Sequence, residues 1–322
     1  MRNWLVCFIW LVGSALLPGT AWGQTCSFSV PSMVFAGSTI PGSAINSMTS
    51  VTANCSGLLA LGQKVLICPN LNEGSGGATA SARIMVNGAN SLNYQLYQDA
   101  ARSIVWGSAT WPYAARPPGF LVAFTTILGP ILGSGSTTIT LYGQVLANQA
   151  TAPAGPYTST FTGANATFNY RYDDGNGCTT AAGATASPPA FTVQITLAND
   201  CAVTAQNIDF GPNGLLNANI DQTGQVRVTC TPTVPYSVSL SLGNTGTSPT
   251  ARKMVNGAQS ITYGLYQDSN RTVPWGNTIP TNTVARTGDG TAQGITVYGR
   301  VPPQATPSPG VYSDTIIVTV TY

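Results

Sequence analysis

The residue types that usually carry catalysis are nearly missing from this chain of 322 residues. It has no histidine and only ten acidic residues. Without histidine, Ser-His-Asp and Cys-His nucleophilic machinery is excluded, and the usual zinc sites lose their common nitrogen ligand. Glycoside hydrolysis needs two positioned carboxylates, and the scattered acids nominate no pair. Asp173-Asp174-Gly175-Asn176 is the densest acidic run. It lacks the regular oxygen-ligand spacing and terminal Glu of a calcium loop, so a solvated turn beside Cys178 is the plainer reading. No catalytic residue, metal or cofactor is assigned.

Cysteine remains as the reactive type. The chain opens with Arg2, an apolar run from Trp4 to Leu17, and Ala21-Trp22-Gly23. This pattern marks residues 1–23 as a secretory signal peptide cleaved before Gln24. The run is short for a membrane span, so no direct membrane insertion is expected. Of seven cysteines, Cys7 leaves with the signal, and Cys26, Cys55, Cys68, Cys178, Cys201 and Cys230 remain. An even number in an exported chain implies three bridges. Charged residues make up 7% of the sequence, against roughly 25% in an average globular protein. No Lys/Arg cluster is present to attract nucleic acid or anionic lipid.

An internal repeat organises these residues. Residues 85–107 and 254–276 are identical at 14 of 23 positions, which identifies a tandem duplication. Cys26 and Cys55 have the same spacing as Cys201 and Cys230. Equal spacing selects those two bridges and leaves Cys68 with Cys178; the alternative is that Cys68 or Cys178 is a free or ligand-binding thiol. Trp106 and Trp275 recur with the repeat, which favours packing over a sugar-stacking platform. Asp99 and Asp268 also recur, with Arg102 and Arg271 three residues later, and read as turn or surface pairs.

Short runs such as Ile139–Tyr142, Tyr236–Leu242, Ile261–Tyr266 and Thr315–Tyr322 alternate apolar and polar residues and are rich in Val, Ile, Thr and Tyr. Such runs, broken by Gly, Pro and Asn, predict half-buried strands in a sandwich. No amphipathic helix follows the signal. The fold class expected is all-β, with two β-sandwich domains in tandem: residues 24–182, a linker and possible donor strand at 183–198, and residues 199–322.

The residues then resemble a family. A Cys near the mature start is followed by a second about 30 residues on. Tyr263-Gly264-Leu265-Tyr266-Gln267-Asp268, Trp275-Gly276 and Pro309-Gly310-Val311-Tyr312-Ser313-Asp314 complete the pattern. Together they resemble the spore coat protein U domain. The first copy shows Tyr94-Gln95-Leu96-Tyr97-Gln98-Asp99 and Trp106-Gly107 but closes on Gly155-Pro156-Tyr157. The resemblance implies similarity to subunits of archaic chaperone-usher pili, in which an incomplete immunoglobulin-like sandwich is completed by a neighbour's strand. It implies a periplasmic chaperone, an outer-membrane usher and a neighbouring pilus subunit as partners, and secretion through the periplasm to a cell-surface fimbrium.

In such pili the resemblance implies that the donated strand is an alternating apolar extension ahead of a subunit's first Cys. Cys26 lies two residues after the expected cleavage site, so the first domain has no arm to donate. Ahead of Cys201, Phe191, Val193, Ile195 and Leu197 share one face and are assigned as a donor strand completing the first domain in cis; the alternative is a first strand or linker of the second. Ile316, Val318, Val320 and Tyr322 form an alternating strand with no further strand encoded, so the second domain is expected to lack its final strand and offer an acceptor edge.

Between matched motifs the first copy is longer, and the extra residues fall in the most apolar stretch of the mature chain. Trp111, Tyr113, Phe120, Leu121, Val122, Phe124, Ile127 and Leu128 are the candidates for an adhesive surface toward a host or abiotic surface. The other reading is an extended buried sheet. The function expected is a non-catalytic tip adhesin, the first domain binding and the second anchoring by donor-strand complementation. A non-adhesive structural pilus or coat subunit is the alternative, and a secreted carbohydrate-active enzyme a distant third.

Overall fold

The computed structural model describes residues 23–37, 42–58, 63–110, 116–128 and 132–322, with backbone alone at 126–128 and 132. The expected signal peptide, apart from Gly23, and Trp111 and Tyr113 lie outside these residues.

The first thirteen strands are β1 Thr25–Ser29, β2 Met33–Val34, β3 Ile45–Gly57, β4 Lys64–Leu71, β5 Arg83–Asn87, β6 Asn90–Tyr97, β7 Phe120–Ala123, β8 Thr125–Leu128, β9 Leu132–Val145, β10 Gly155–Phe161, β11 Ala166–Tyr172, β12 Ala184–Ala186 and β13 Phe191–Leu197. Eight further strands follow: β14 Cys201–Ala205, β15 Ile220–Cys230, β16 Pro235–Leu240, β17 Arg252–Asn256, β18 Gln259–Tyr266, β19 Val284–Thr287, β20 Gln293–Val301 and β21 Val318–Thr321. A single 3-10 turn, Gly163–Asn165, is the only helical element among the described residues.

These strands make two units. In the first, one sheet runs β1-β3-β9-β6-β5-β10-β13-β2, with β8 on β9, and a second runs β12-β11-β4-β7. In the second unit the sheets run β14-β15-β20-β18-β17 and β19-β16-β21. Each unit has its own hydrophobic core, and the two cores share no residue. Alternation builds them. β10 and β13 bury every second residue, because successive side chains leave opposite faces of a strand.

The repeat fixes the corners. Each Asn-Gly step turns one hairpin, β5 to β6 and β17 to β18, with Gly88 and Gly257 at φ 58° and 56°. That left-handed conformation costs a glycine nothing and strains other residues. Trp106 and Trp275 are fully buried, and their indole N–H groups donate to the carbonyls of Pro69 at 2.8 Å and Val238 at 2.9 Å. They are core pillars, inaccessible to a sugar.

Three disulfides join Cys26 to Cys55, Cys68 to Cys178 and Cys201 to Cys230. Two of them staple the first strand of each unit to its neighbour, β1 to β3 and β14 to β15. Residues 183–198, expected as a linker and possible donor strand, carry β12 and β13, both hydrogen-bonded into the first unit.

Candidate functional site

The informative feature is a slot present in both units and filled in only one. In the first unit, β13 lies between β10, antiparallel over Gly155↔Leu197 to Phe161↔Phe191, and β2, parallel at Val193↔Met33 and Gln194↔Val34. The Phe35 N–H extends the ladder by donating to the Gln194 carbonyl at 2.9 Å. Phe191, Val193, Ile195 and Leu197 are each no more than 2% exposed, and the Phe191 ring stacks on Phe161 with centroids 5.0 Å apart.

The cysteines and strand pairings place the same parts in the second unit. Ile208 and Phe210 follow Cys201 as Met33 and Phe35 follow Cys26, and Tyr312, Asp314 and Ile316 stand where Tyr157, Ser159 and Phe161 stand. The lone bridge Val255↔Ser313 repeats Val86↔Thr158. Gly299 sits beneath Phe210 and Ile208 as Gly143 sits beneath Met33 and Phe35. No strand of the described residues occupies the place of β13 here.

What remains is an open groove of about 630 Å³, lined by Ile208, Phe210, Met254, Tyr312, Asp314 and Ile316 among others. Met33, Phe35, Met85, Tyr157 and Phe161 are all buried, whereas their counterparts in the second unit, Ile208, Phe210, Met254, Tyr312 and Ile316, are only half-buried. β21 pairs with β16 on the other sheet, Val318 opposite Leu240 and Val320 opposite Val238. Of the proposed acceptor-edge residues, Ile316 and Val318 line the groove, Val320 packs on the core, and Tyr322 is exposed.

The floor differs chemically between the units. In the first, the Ser159 and Tyr94 hydroxyls are buried beside each other, and burial pushes the Tyr94 phenol up to about 12. In the second, Tyr263 Oη donates to Asp314 Oδ2 at 2.8 Å, and the N–H groups of Asn244 and Thr315 donate to Oδ1 at 2.9 and 2.8 Å. A side chain at Gly243 would collide with this carboxylate, 1.9 Å from Oδ2. The Tyr263 phenol is pushed far up by burial and then by Asp314. Below lies Arg252, buried, donating to the carbonyls of Leu240, Pro249, Ser241 and Trp275. Burial lowers its pKa to about 10, which Tyr263 and Asp314 partly offset.

The apolar insertion is less exposed than expected. β7 pairs with β4 and alternates in burial, so Phe120 and Val122 face the core at 8% and 0% exposure, and Leu121 and Ala123 turn outward. Phe124 packs partly against the core. Phe120 and Val122 are therefore corrected from surface to core. Ile127 and Leu128 lie in β8, and Trp111 and Tyr113 outside the described residues.

The recurring Asp and Arg close a turn through the backbone, the Arg102 N–H donating to the Asp99 carbonyl and the Arg271 N–H to that of Asp268, each at 3.0 Å, without an ion pair between their side chains. The Asp99 carboxylate accepts from the N–H groups of Ser103 and Ile104, and Asp268 from Thr272 and Val273. Arg102 and Arg271 cover the rings of Tyr142 and Tyr298, and Arg271 joins Arg300 on Asp221. Asp174 closes an exposed turn with Arg171. These contacts hold loops and assemble no reaction centre.

Protein U of Myxococcus xanthus is 32% identical over 118 residues, covering 34% of this chain and 65% of that one. In fold, the chain is similar to one in the CsuC-CsuE chaperone-tip adhesion subunit pre-assembly complex from the archaic chaperone-usher Csu pili of Acinetobacter baumannii. There the TM-score is 0.52 at 17% identity, over 92% of this chain and 100% of that one. The CupB6 tip adhesin of Pseudomonas aeruginosa aligns over 93% and 94% at 13% identity with a TM-score of 0.40. The model of the Spore Coat Protein U domain matches residues 16–164 and 188–319, so the chain belongs to that family in both of its units.

Proposed function

We propose that the chain is a non-catalytic, tip-type subunit of a chaperone-usher surface fibre, exported through the periplasm, in which the second unit is the anchor and the first faces outward. The observation that carries this reading is the pair of equivalent slots. β13 fills one with four buried apolar side chains, while the other lies open over apolar residues. Its occupant is a strand of β13-like pattern, lent first by a periplasmic chaperone and, at the usher, by a neighbouring subunit. β13 is spent inside its own unit and is not available to a neighbour, which supports a terminal position. The domain boundary then falls between β13 and β14.

Fusing the β13 sequence after Tyr322 through a short flexible linker, with Val193 replaced by Ser so that a donor faces the Asp314 carboxylate, tests the anchor. A short linker gives millimolar effective concentration, so the groove should close. Binding of an apolar dye should fall and the second unit's melting temperature should rise; no change in either would refute the groove as a strand site.

The adhesive assignment to the first unit rests on its sheet register. Gly57 opposite Gly133, Lys64 opposite Ala123 and Leu128 opposite Leu132 bring three connections to one end of the sheets. Leu121→Ser combined with Ile127→Ser and Leu128→Ser should weaken attachment to an apolar surface while fibres still assemble. The burial of Phe120 and Val122 favours a structural role for that part of the insertion, and unchanged attachment would extend that role to all of it.

A further inference from the structure

Both slots descend from one duplicated sequence, so β13 of one molecule ought to fit the open groove of another. Chains would then cross-polymerise through the wrong strand. The register shows where the fit fails. Val193 of β13 lies directly opposite Ser159 on β10, both side chains buried on the same face. Opposed residues of an antiparallel pair hold their Cβ atoms roughly 5 Å apart. The residue of the second unit equivalent to Ser159 is Asp314, which lines the open groove.

Asp314 is held in place. Three donors fix its carboxylate, and Gly243, at φ 81°, leaves room for it where any side chain would collide. It cannot swing aside without giving up those bonds. A strand entering in the β13 register with valine at this position would strip water from the open side of the carboxylate and offer nothing in exchange. A buried carboxylate is tolerated only when hydrogen-bonded or paired. A hydroxyl or amide at the same position would donate a charge-assisted hydrogen bond to it.

We propose that Asp314 is a specificity-determining residue of the strand-accepting groove: it selects an incoming strand that presents a hydroxyl or amide donor at the residue facing it and rejects the chain's own β13. The partner is thereby defined as another protein's alternating apolar strand, interrupted at one inward position by Ser, Thr, Asn or Gln. This inference rests on the reading of the groove as a strand site.

The test uses two peptides spanning residues 190–198, one with the native sequence and one carrying Val193→Ser, titrated into the purified full chain and followed by fluorescence anisotropy. The serine peptide should bind at least tenfold more tightly than the native one. In Asp314→Ser, which recreates the floor of the first unit, the preference should vanish or reverse; Asp314→Asn serves as the near-isosteric check. If neither variant folds, the ratio measured on the unaltered chain decides alone. Equal or tighter binding of the native peptide to the unaltered chain, or an unchanged ratio in Asp314→Ser, overturns the role of Asp314 and leaves the groove reading standing. Failure of both peptides to bind the unaltered chain overturns both.

Discussion

Truncating β13 at its centre measures how far the first unit depends on it. Ile195 is 1% exposed, sits opposite the fully buried Tyr157, and belongs to the first unit's core. Ile195→Ala removes three carbons from a position walled in on both sides by β10 and β2, where collapse into the cavity is restricted. Truncations of this kind cost about 2–5 kcal/mol, a large share of the roughly 5–15 kcal/mol that holds a domain together. With a urea slope of about 2 kcal/mol per molar, the midpoint of the first unit should fall by about 1–2.5 M. The two cores share no residue, so the second unit's transition should stay where it is. Intrinsic fluorescence alone would blend the transitions. Hydrogen exchange at the amides of β10 and of β15 separates them, each lying within one unit's sheet. A loss of protection in β15 as large as that in β10, or no loss in β10, would refute the assignment of β13 as a structural strand of the first unit alone.

Three further outcomes follow from contacts described above. Replacing Cys68 and Cys178 together by serine opens a loop with a sequence separation of 110 and should destabilise the first unit by about 5 kcal/mol on the chain-entropy account, read as a fall in its urea midpoint with the second unit unmoved. Trp275→Phe leaves the buried Val238 carbonyl without its indole donor and should cost the second unit about 1–3 kcal/mol, visible in its thermal transition. Backbone N–H groups, Ile104 foremost for Asp99 and Val273 for Asp268, hold both carboxyls below their ordinary value. A carboxyl whose folded pKa lies below its unfolded value stabilises fully above the unfolded value, about 3.9, and loses that contribution as pH falls through the depressed one. Asp99→Asn together with Asp268→Asn should therefore flatten the dependence of stability on pH below about 4 and leave the slope at neutral pH unchanged, as followed by urea midpoints across an acid series.

The parts legible in the sequence were those written twice. The repeat exposed the equal disulfide spacings and the recurrent tryptophans, because each copy served as a control on the other. The alternation of Phe191, Val193, Ile195 and Leu197 marked a strand, and its position ahead of Cys201 pointed to its partner. The insertion had no second copy. Its apolar content matched either a buried sheet or an exposed patch, and hydrophobicity alone does not separate them. Only pairing with β4 sets the phase that sends Phe120 and Val122 inward and Leu121 outward. Gly183 to Ala190 reads as a linker for a similar reason: the short strand β12 gains its order from β11, which no local pattern announces.

Asp314 was visible in the sequence as the last residue of a motif, and nothing there marked it as different from a turn residue. Its meaning comes from a comparison between copies made in three dimensions. The closing motif of the first copy departs from that of the second, and the structure shows the departure to be local: Tyr157 and Tyr312 each donate to the carbonyl four residues earlier, at 2.8 and 2.7 Å. The strand path is kept while the next inward residue changes from Ser159 to Asp314. A duplicated slot that always keeps its own strand tolerates a neutral floor of two buried hydroxyls, since no competitor reaches it. A slot left open to every alternating strand in its surroundings needs a means of refusal, and on our proposal the fixed Asp314 carboxylate supplies one. The chemistry of the two floors diverged in the direction that difference in exposure demands.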